Sequence, residues 1–393
     1  MSPSTQNPIA LLPDPLDEEQ RYLQRSIVEF AQSELGRELD RRDHDGVFPR
    51  EEWGRCAELG LLGMAIPTAY GGLGLSAMTI AAALEGLGYG CADNGLIFSI
   101  NAQMWACSHP IVNFGTEEQK RRWLPGLCDG SLIAAHGMTE PESGSDAFAL
   151  RTTATPAEDG GWILNGSKTF VTNAPDSDLL IVFASTDRSL GFAGLCAFVL
   201  ERGAPGLEVG TPFSKMGLRT SHLGEIFLND CHVPADGLLG EEGGGMAIFN
   251  SSMRWERSLI LAAAVGTMRR QLERCVAFAR ERVQFGSPIG SFQAVSHPLA
   301  AMRLRLQTSH LMLYRIAALL DAGKASDLDA AMTKLHLSEA LVQSSLEALQ
   351  IHGGTGYVTE SGLERDVRDA LGGRIYSGTS EMQHNVIARH LGL

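Results

Sequence analysis

No stretch of this 393-residue chain approaches the ~18 or more consecutive apolar residues of a membrane-spanning helix. Cysteine is sparse: Cys56, Cys91, Cys107, Cys128, Cys196, Cys231 and Cys275 lie scattered, with no Cys-x-x-Cys pair. An odd, dispersed set argues against a disulfide framework and a structural zinc, and suits reduced thiols in the cytoplasm. Basic residues are in deficit, 32 Lys and Arg against 46 Asp and Glu, giving a formal net charge of −14. Nucleic acid and anionic membrane are therefore poor partners, because their binders carry a basic face that displaces counterions. The amino terminus is polar, then acidic at Asp14, Asp17, Glu18 and Glu19, without the basic-then-apolar order of a signal peptide. A cytoplasmic protein is expected. No internal repeat is present, and the one biased segment is the Pro-containing first sixteen residues, expected to form a flexible arm.

What is present is core material, since 44% of the residues are hydrophobic over a length that suits two or three domains. Apolar spacing is helical from residue 17 to about 132, as in Tyr22, Ile27, Phe30, Ala31 and Leu35. From 133 to 240 it becomes strand-like, with Leu179-Leu180-Ile181-Val182-Phe183 and Cys196-Ala197-Phe198-Val199-Leu200 bounded by turn residues. The helical period returns from 241 to 393, after Glu241-Glu242-Gly243-Gly244-Gly245, which reads as a flexible joint. The expected fold class is α+β: a helical domain, a small β-barrel and a helical bundle of four. Gly72-Leu73-Gly74-Leu75-Ser76-Ala77 matches a dinucleotide-binding string, but helical pattern flanks it on both sides, so a loop is expected.

Two segments carry most of the chemistry. Thr139-Glu140-Pro141-Glu142-Ser143-Gly144-Ser145-Asp146 and Trp162-Ile163-Leu164-Asn165-Gly166-Ser167-Lys168-Thr169-Phe170-Val171-Thr172-Asn173 can set backbone amides, small donors and one aromatic ring against a flat polar cofactor. Asn165-Gly166 between apolar runs reads as a two-residue hairpin turn. On the outgoing strand Phe170 and Thr172 share a face, although a sheet with one buried aromatic fits this segment equally.

Together with Phe114-Gly115-Thr116-Glu117-Glu118-Gln119-Lys120, Lys215-Met216-Gly217-Leu218-Arg219, Arg282-Val283-Gln284-Phe285-Gly286, Gln350-Ile351-His352-Gly353-Gly354 and Gly378-Thr379-Ser380-Glu381, in this order, the chain resembles the acyl-CoA dehydrogenase family over about its whole length. The resemblance implies an FAD site. His136, Met138, Thr139, Gly144 and Ser145 would wrap the pyrimidine side of the isoalloxazine, where negative charge gathers on reduction. Phe170 and Val171 would pack on the ring and Thr172 would hydrogen-bond near N5. Family tetramers share each FAD between subunits, so Arg282, Gln284, Phe285 and Gln293 would reach a neighbouring subunit's cofactor, joined by Gln350, Ile351, Gly353 and Gly354. Thr379 and Glu381 would contact the cofactor from the hairpin's own subunit. Arginine suits a diphosphate because it stays charged and offers several donors.

Dehydrogenation across Cα–Cβ of a thioester needs a carboxylate to take the α-proton while the β-hydrogen leaves as hydride. Many family members carry that glutamate directly before the glycine of Gly378-Thr379, where this chain has Ser377. Glu256 in Met253-Arg254-Trp255-Glu256-Arg257-Ser258-Leu259-Ile260 matches the position used by isovaleryl-type and long-chain relatives. Apolar neighbours would strengthen it as a base; the bland alternative is a solvated helix glutamate beside Arg254 or Arg257. Arg257 would orient the pocket, the Ser377 amide would remain available to a thioester carbonyl, and Ser145, Arg254 and Gly378 would line the substrate. The first functional reading is α,β-dehydrogenation of an acyl thioester, with an electron-transfer flavoprotein or oxygen as acceptor. The second keeps the chemistry but tethers an acyl, prolyl or other aminoacyl group to a carrier protein. A third is a flavin-dependent monooxygenase on the same fold. A homotetramer is expected from the resemblance alone.

Overall fold

The computed structural model describes residues 15–393, so the arm expected over 1–16 lies outside the described residues except for Pro15 and a buried Leu16. The chain folds as two compact units, one of residues 41–76 and 95–256, the other of residues up to 40, 77–94 and 257–393.

The first unit is built on an eight-stranded sheet: β1 (Ala134–Gly137), β2 (Thr153–Pro156), β3 (Trp162–Thr172), β4 (Leu179–Ser185), β5 (Leu195–Glu201), β6 (Leu207–Val209), β7 (Leu223–Val233) and β8 (Leu238–Leu239). The strand order is β6-β7-β3-β2-β4-β5-β8, with β1 parallel to β4. Every residue of β4 is buried, which is what an unbroken apolar run means when both faces are covered. Ile181, Phe183, Ala197 and Val199 pack with Trp123, Leu124 and Leu127 of the helix Glu117–Asp129. The opposite face, with Leu180, Val182, Phe198 and Leu200, packs on Leu164, Ile226, Leu228 and Val233, so the β3–β7 half folds over the β4–β5 half around an apolar interior. The expected middle β domain is present. Thr116 and Gln119 close a capping box on the helix Glu117–Asp129, and Gln119 Nε2 also donates to Asp236 O and Leu238 O, both at 2.8 Å.

The second unit is helical, with long helices Glu18–Glu34, Ala77–Gly90, Ala262–Glu281, Gln293–Asp321 and Asp327–His352, and shorter Leu363–Gly372 and Ser380–His390. Glycines let two of them touch: a Cβ on Gly88 would meet Ala263 O at 1.9 Å, and one on Gly266 would meet Glu85 O at 2.0 Å.

Two local expectations are corrected. Asn165-Gly166 is not a turn, because β3 runs straight through it and the reversal lies in residues 157–161. Gly166 instead sits at a register shift against β7, where a Cβ would meet Thr152 Oγ1 at 2.5 Å, while Asn165 bonds Asp230 through its side chain. Close backbone approach, together with a φ of 150°, explains that glycine without a turn. Likewise Glu241 to Gly245 is a packed turn and not a loose joint: Gly243 N bonds Cys196 Sγ, and a Cβ on Gly245 would meet Leu195 O at 2.7 Å. Gly72-Leu73-Gly74 lies in irregular chain before the helix Ala77–Gly90, as expected of a loop.

Candidate functional site

β1 and β3 create an open face with a charged pair beneath it. Lys168 is 0% exposed and donates to Glu140 Oε1 at 2.7 Å and Met138 O at 3.3 Å. Glu140 also accepts from the amides of Arg151 and Thr152 and from the Thr152 hydroxyl. Burial pulls the Lys168 ammonium down to about 8, opposed by Glu140. Burial works against the Glu140 charge, yet Lys168, Thr152 and the Arg151 amide together hold its carboxyl below the usual range. Above this pair, Thr169 N bonds Thr139 O at 2.9 Å, and Phe170 follows at φ 54° with its ring 64% exposed. Val171 is buried and Thr172 partly open, so Phe170 and Thr172 share the open side.

The strings expected to wrap a cofactor divide by what their side chains touch. Met138 and Val171 belong to the core, leaving only their backbone for a ligand. The His136 ring lies edge-on to Phe183 and stacked on Phe249, with a buried Nε2 that has no hydrogen-bond partner. Burial, and then the Lys168 charge, lower its pKa to about 4, so the imidazole is neutral at pH 7. Gly144 and Ser145 are exposed, and a Cβ on Gly144 would meet nothing within 4 Å.

The helix Gly245–Leu259 carries Arg254, Glu256 and Arg257. Glu256 is only 7% exposed, which removes the solvated-glutamate reading. Beside it a π-helical stretch, Gln103–Ser108, interrupts the run of α-helix from Asn94 to Phe114, a distortion that recurs at functional sites. Trp105 from this stretch stacks on Trp255 at 5.8 Å, Ser252 Oγ bonds Trp105 O, and His109 packs on Trp255 at 5.3 Å. Burial and the nearby Glu256 charge push the Cys107 thiol well above its ordinary pKa.

In the second unit, Ser377 and Gly378 are consecutive left-handed residues at φ 56° and 86°. Their carbonyls face donors: Arg257 Nε reaches Ser377 O at 3.2 Å, while Lys334 Nζ and Gln383 Nε2 reach Gly378 O, each at 2.8 Å. Thr379 caps the helix Ser380–His390 by accepting from Met382 N. The Glu381 carboxyl is exposed and held low by its own backbone amide and by Thr379.

Arg282 caps the helix Ala262–Glu281, and Gln284 pairs with Ser287 in a short hairpin, Val283–Gln284 against Ser287–Pro288, whose tip is Phe285-Gly286. Phe285 is 95% exposed at φ 52°. Gln293 opens the next helix. Gln350 and Ile351 sit in the last turn of Asp327–His352, capped by Gly353 at φ 58° and ψ −135°, a conformation that favours glycine. Phe278 stacks on His352 at 4.4 Å, which brings the ends carrying Arg282 and Gly353 together.

Sequence reasoning assigned no role to Lys168, Glu140, Lys334, Gln383 or Trp105. A lysine inside a strand pattern hints at a buried partner but does not say which residue that partner is.

The matches with known proteins follow this geometry. Residues 17–131, 135–231 and 243–392 match the N-terminal, middle and C-terminal domains of acyl-CoA dehydrogenase. The chain belongs to the acyl-CoA dehydrogenase family. It is 45% identical to an L-prolyl-[peptidyl-carrier protein] dehydrogenase of Pseudomonas fluorescens, over 89% of this chain and 92% of that protein. Its fold superposes on the prolyl acyl carrier protein oxidase AnaB with a TM-score of 0.95 at 49% identity, covering 96% of this chain and 100% of that one. PigA, solved with FAD and proline, matches with a TM-score of 0.93 at 40% identity, over 96% and 98% of the two chains.

Proposed function

We propose that this protein is an FAD-dependent dehydrogenase that removes two hydrogens across the Cα–Cβ bond of a thioester, and that the thioester is a prolyl group tethered to a carrier protein. The observation that carries the reading is Glu256: a carboxylate held almost out of water on a helix, near Cys107, in a chain with Ser377 where many relatives keep their base. The family makes the chemistry, and the identity with prolyl carrier-protein enzymes favours the tethered substrate over an acyl-CoA. A monooxygenase needs no such base.

The residues fit FAD. An aromatic ring pushed outward at Phe170, hydroxyls at Thr139 and Thr172, and exposed backbone at Gly144 offer a stacking plane and donors for a flat heteroaromatic ring. Arg282, Gln284, Phe285, Gln293, Gln350, Ile351 and the open Gly353-Gly354 backbone would serve the diphosphate and adenine of a neighbouring subunit's cofactor in a homotetramer. Thr379 and Glu381 would add contacts to the cofactor. When bound, FAD supplies the acceptor for the β-hydride.

The protein's own work is acid–base and positional. Glu256 takes the α-proton, and its apolar walls keep water from competing for the carboxylate. Arg257 holds the Ser377 carbonyl, and the Ser377 amide would steady the thioester carbonyl as enolate charge develops. Arg254 and Ser145 would line the substrate's path. An external acceptor, electron-transfer flavoprotein or oxygen, takes the electrons away. Seven buried free cysteines support a reducing, cytoplasmic location, and among the described residues no helix is long and apolar enough to cross a membrane.

The test is to incubate the enzyme with a prolyl-loaded carrier protein and to follow the tethered group by intact-protein mass spectrometry. Loss of two hydrogens or more, absent with Glu256→Gln, is expected; an unchanged mass beside active turnover of acyl-CoAs would replace the carrier reading with the CoA one.

A further inference from the structure

Lys168 and Glu140 are both buried, and a buried ion pair seldom contributes net stability, since apolar residues of like volume often serve as well. What distinguishes this pair is where it sits. Glu140 immediately follows Thr139, and Lys168 lies two residues before Phe170, so one contact ties the two segments that border the open face. A third segment joins through the Arg151 and Thr152 amides and the Thr152 hydroxyl.

The strand geometry couples the lysine to the aromatic ring. Lys168 and Thr169 are both buried, whereas Phe170, the next residue, is exposed. The register against β7 shifts between Lys168 and Val171, and Phe170 takes the positive φ that turns its ring out. Gly137 leaves room for the lysine stem, since a Cβ there would meet Lys168 Cγ at 3.2 Å.

We propose that Lys168 and Glu140 are positioning residues for the cofactor ring: their ion pair fixes the separation of Thr139 from Phe170 and the outward set of the Phe170 ring. The proposal rests on the FAD reading above. Four variants test it: Lys168→Met, Glu140→Gln, the double variant, which removes both charges while nearly keeping volume, and Glu140→Asp. Apoprotein Tm, FAD Kd from flavin fluorescence quenching, and visible circular dichroism of the bound flavin are read for each.

The double variant should melt near the wild-type temperature, bind FAD at least about tenfold more weakly, and give an altered flavin dichroism. Glu140→Asp, which keeps both charges but shortens the reach, should lose part of the affinity. Wild-type affinity and dichroism in the double variant, or in Glu140→Asp should the double variant not fold, would overturn the positioning role while leaving the cofactor reading intact. Failure of the wild-type apoprotein to bind FAD would overturn both.

Discussion

Arg257 donates from Nε to the carbonyl oxygen of Ser377 at 3.2 Å, and Ser377 holds a φ of 56°. A non-glycine residue in that region costs about 1 kcal/mol or more, and a charged donor on its carbonyl helps to maintain it. Glu256 lies one residue earlier on the same helix and is almost fully buried. One helix thus carries both a buried carboxylate and the donor that reaches the Ser377 carbonyl.

Arg257→Met removes that donor. A hydrogen bond from a charged group contributes roughly 1.5–3 kcal/mol, so turnover should fall about 10- to 100-fold, with Arg257→Lys recovering part of it. FAD content should not change. Steady-state kinetics beside the flavin-to-protein ratio decide this, and full activity in the methionine variant would remove the anchoring role.

Phe170→Ala should weaken FAD binding without weakening the fold. The ring is exposed, so its loss deletes stacking of roughly 1–3 kcal/mol but little core. The flavin-to-protein ratio after gel filtration should drop while apoprotein Tm stays put. A lowered Tm with unchanged FAD retention would assign the ring to the fold instead.

Gly166→Ala should destabilise the first unit. Its Cβ would lie 2.5 Å from Thr152 Oγ1 and 2.8 Å from Thr152 Cα, and forced overpacking costs roughly 1–3 kcal/mol. Because Thr152 also donates to Glu140, FAD affinity should fall in the same variant. Wild-type stability by urea titration would contradict the close-approach account.

His136 makes apoprotein stability depend on acid. Burial first, and then the Lys168 charge, lower its pKa to about 4 from 6.5. Between these values the unfolded chain binds the proton and the folded chain does not, so the contribution is complete above about 6.5 and is lost as pH falls toward 4. It amounts to roughly 3 kcal/mol at most by linkage. His136→Phe should flatten the pH dependence of Tm over this window, and an unaltered slope would refute the assignment.

Much of the fold was legible because periodicity reports burial: the apolar runs of β4 and β5 and the helical spacing on either side gave the helix, sheet, helix order. Glycine was harder to read. Asn165-Gly166 looked like a turn and Glu241 to Gly245 like a joint, since sequence does not show that Gly166 and Gly243 combine a positive φ with a close neighbour inside packed structure. Glu256 could be placed only against relatives, and its burial removes the solvated-residue reading. The Lys168–Glu140 pair was out of reach, because its partners lie 28 residues apart in sequence and meet only once the loop after β1 folds under β3. Trp105 was hidden for a similar reason, since a π-helical turn shifts the register that spacing arguments assume.

The most direct test is anaerobic: FAD-loaded enzyme and its Glu256→Gln variant are mixed with prolyl-loaded carrier protein, and separately with short, branched and long acyl-CoAs, while the flavin absorbance band is followed. Rapid bleaching of the wild type by the carrier-bound prolyl group, slow or absent with the CoA esters and slowed at least about 100-fold in the variant, is the predicted result. Bleaching by acyl-CoAs alone would move the substrate to CoA, and wild-type bleaching in Glu256→Gln would contradict the central claim that this buried glutamate is the base.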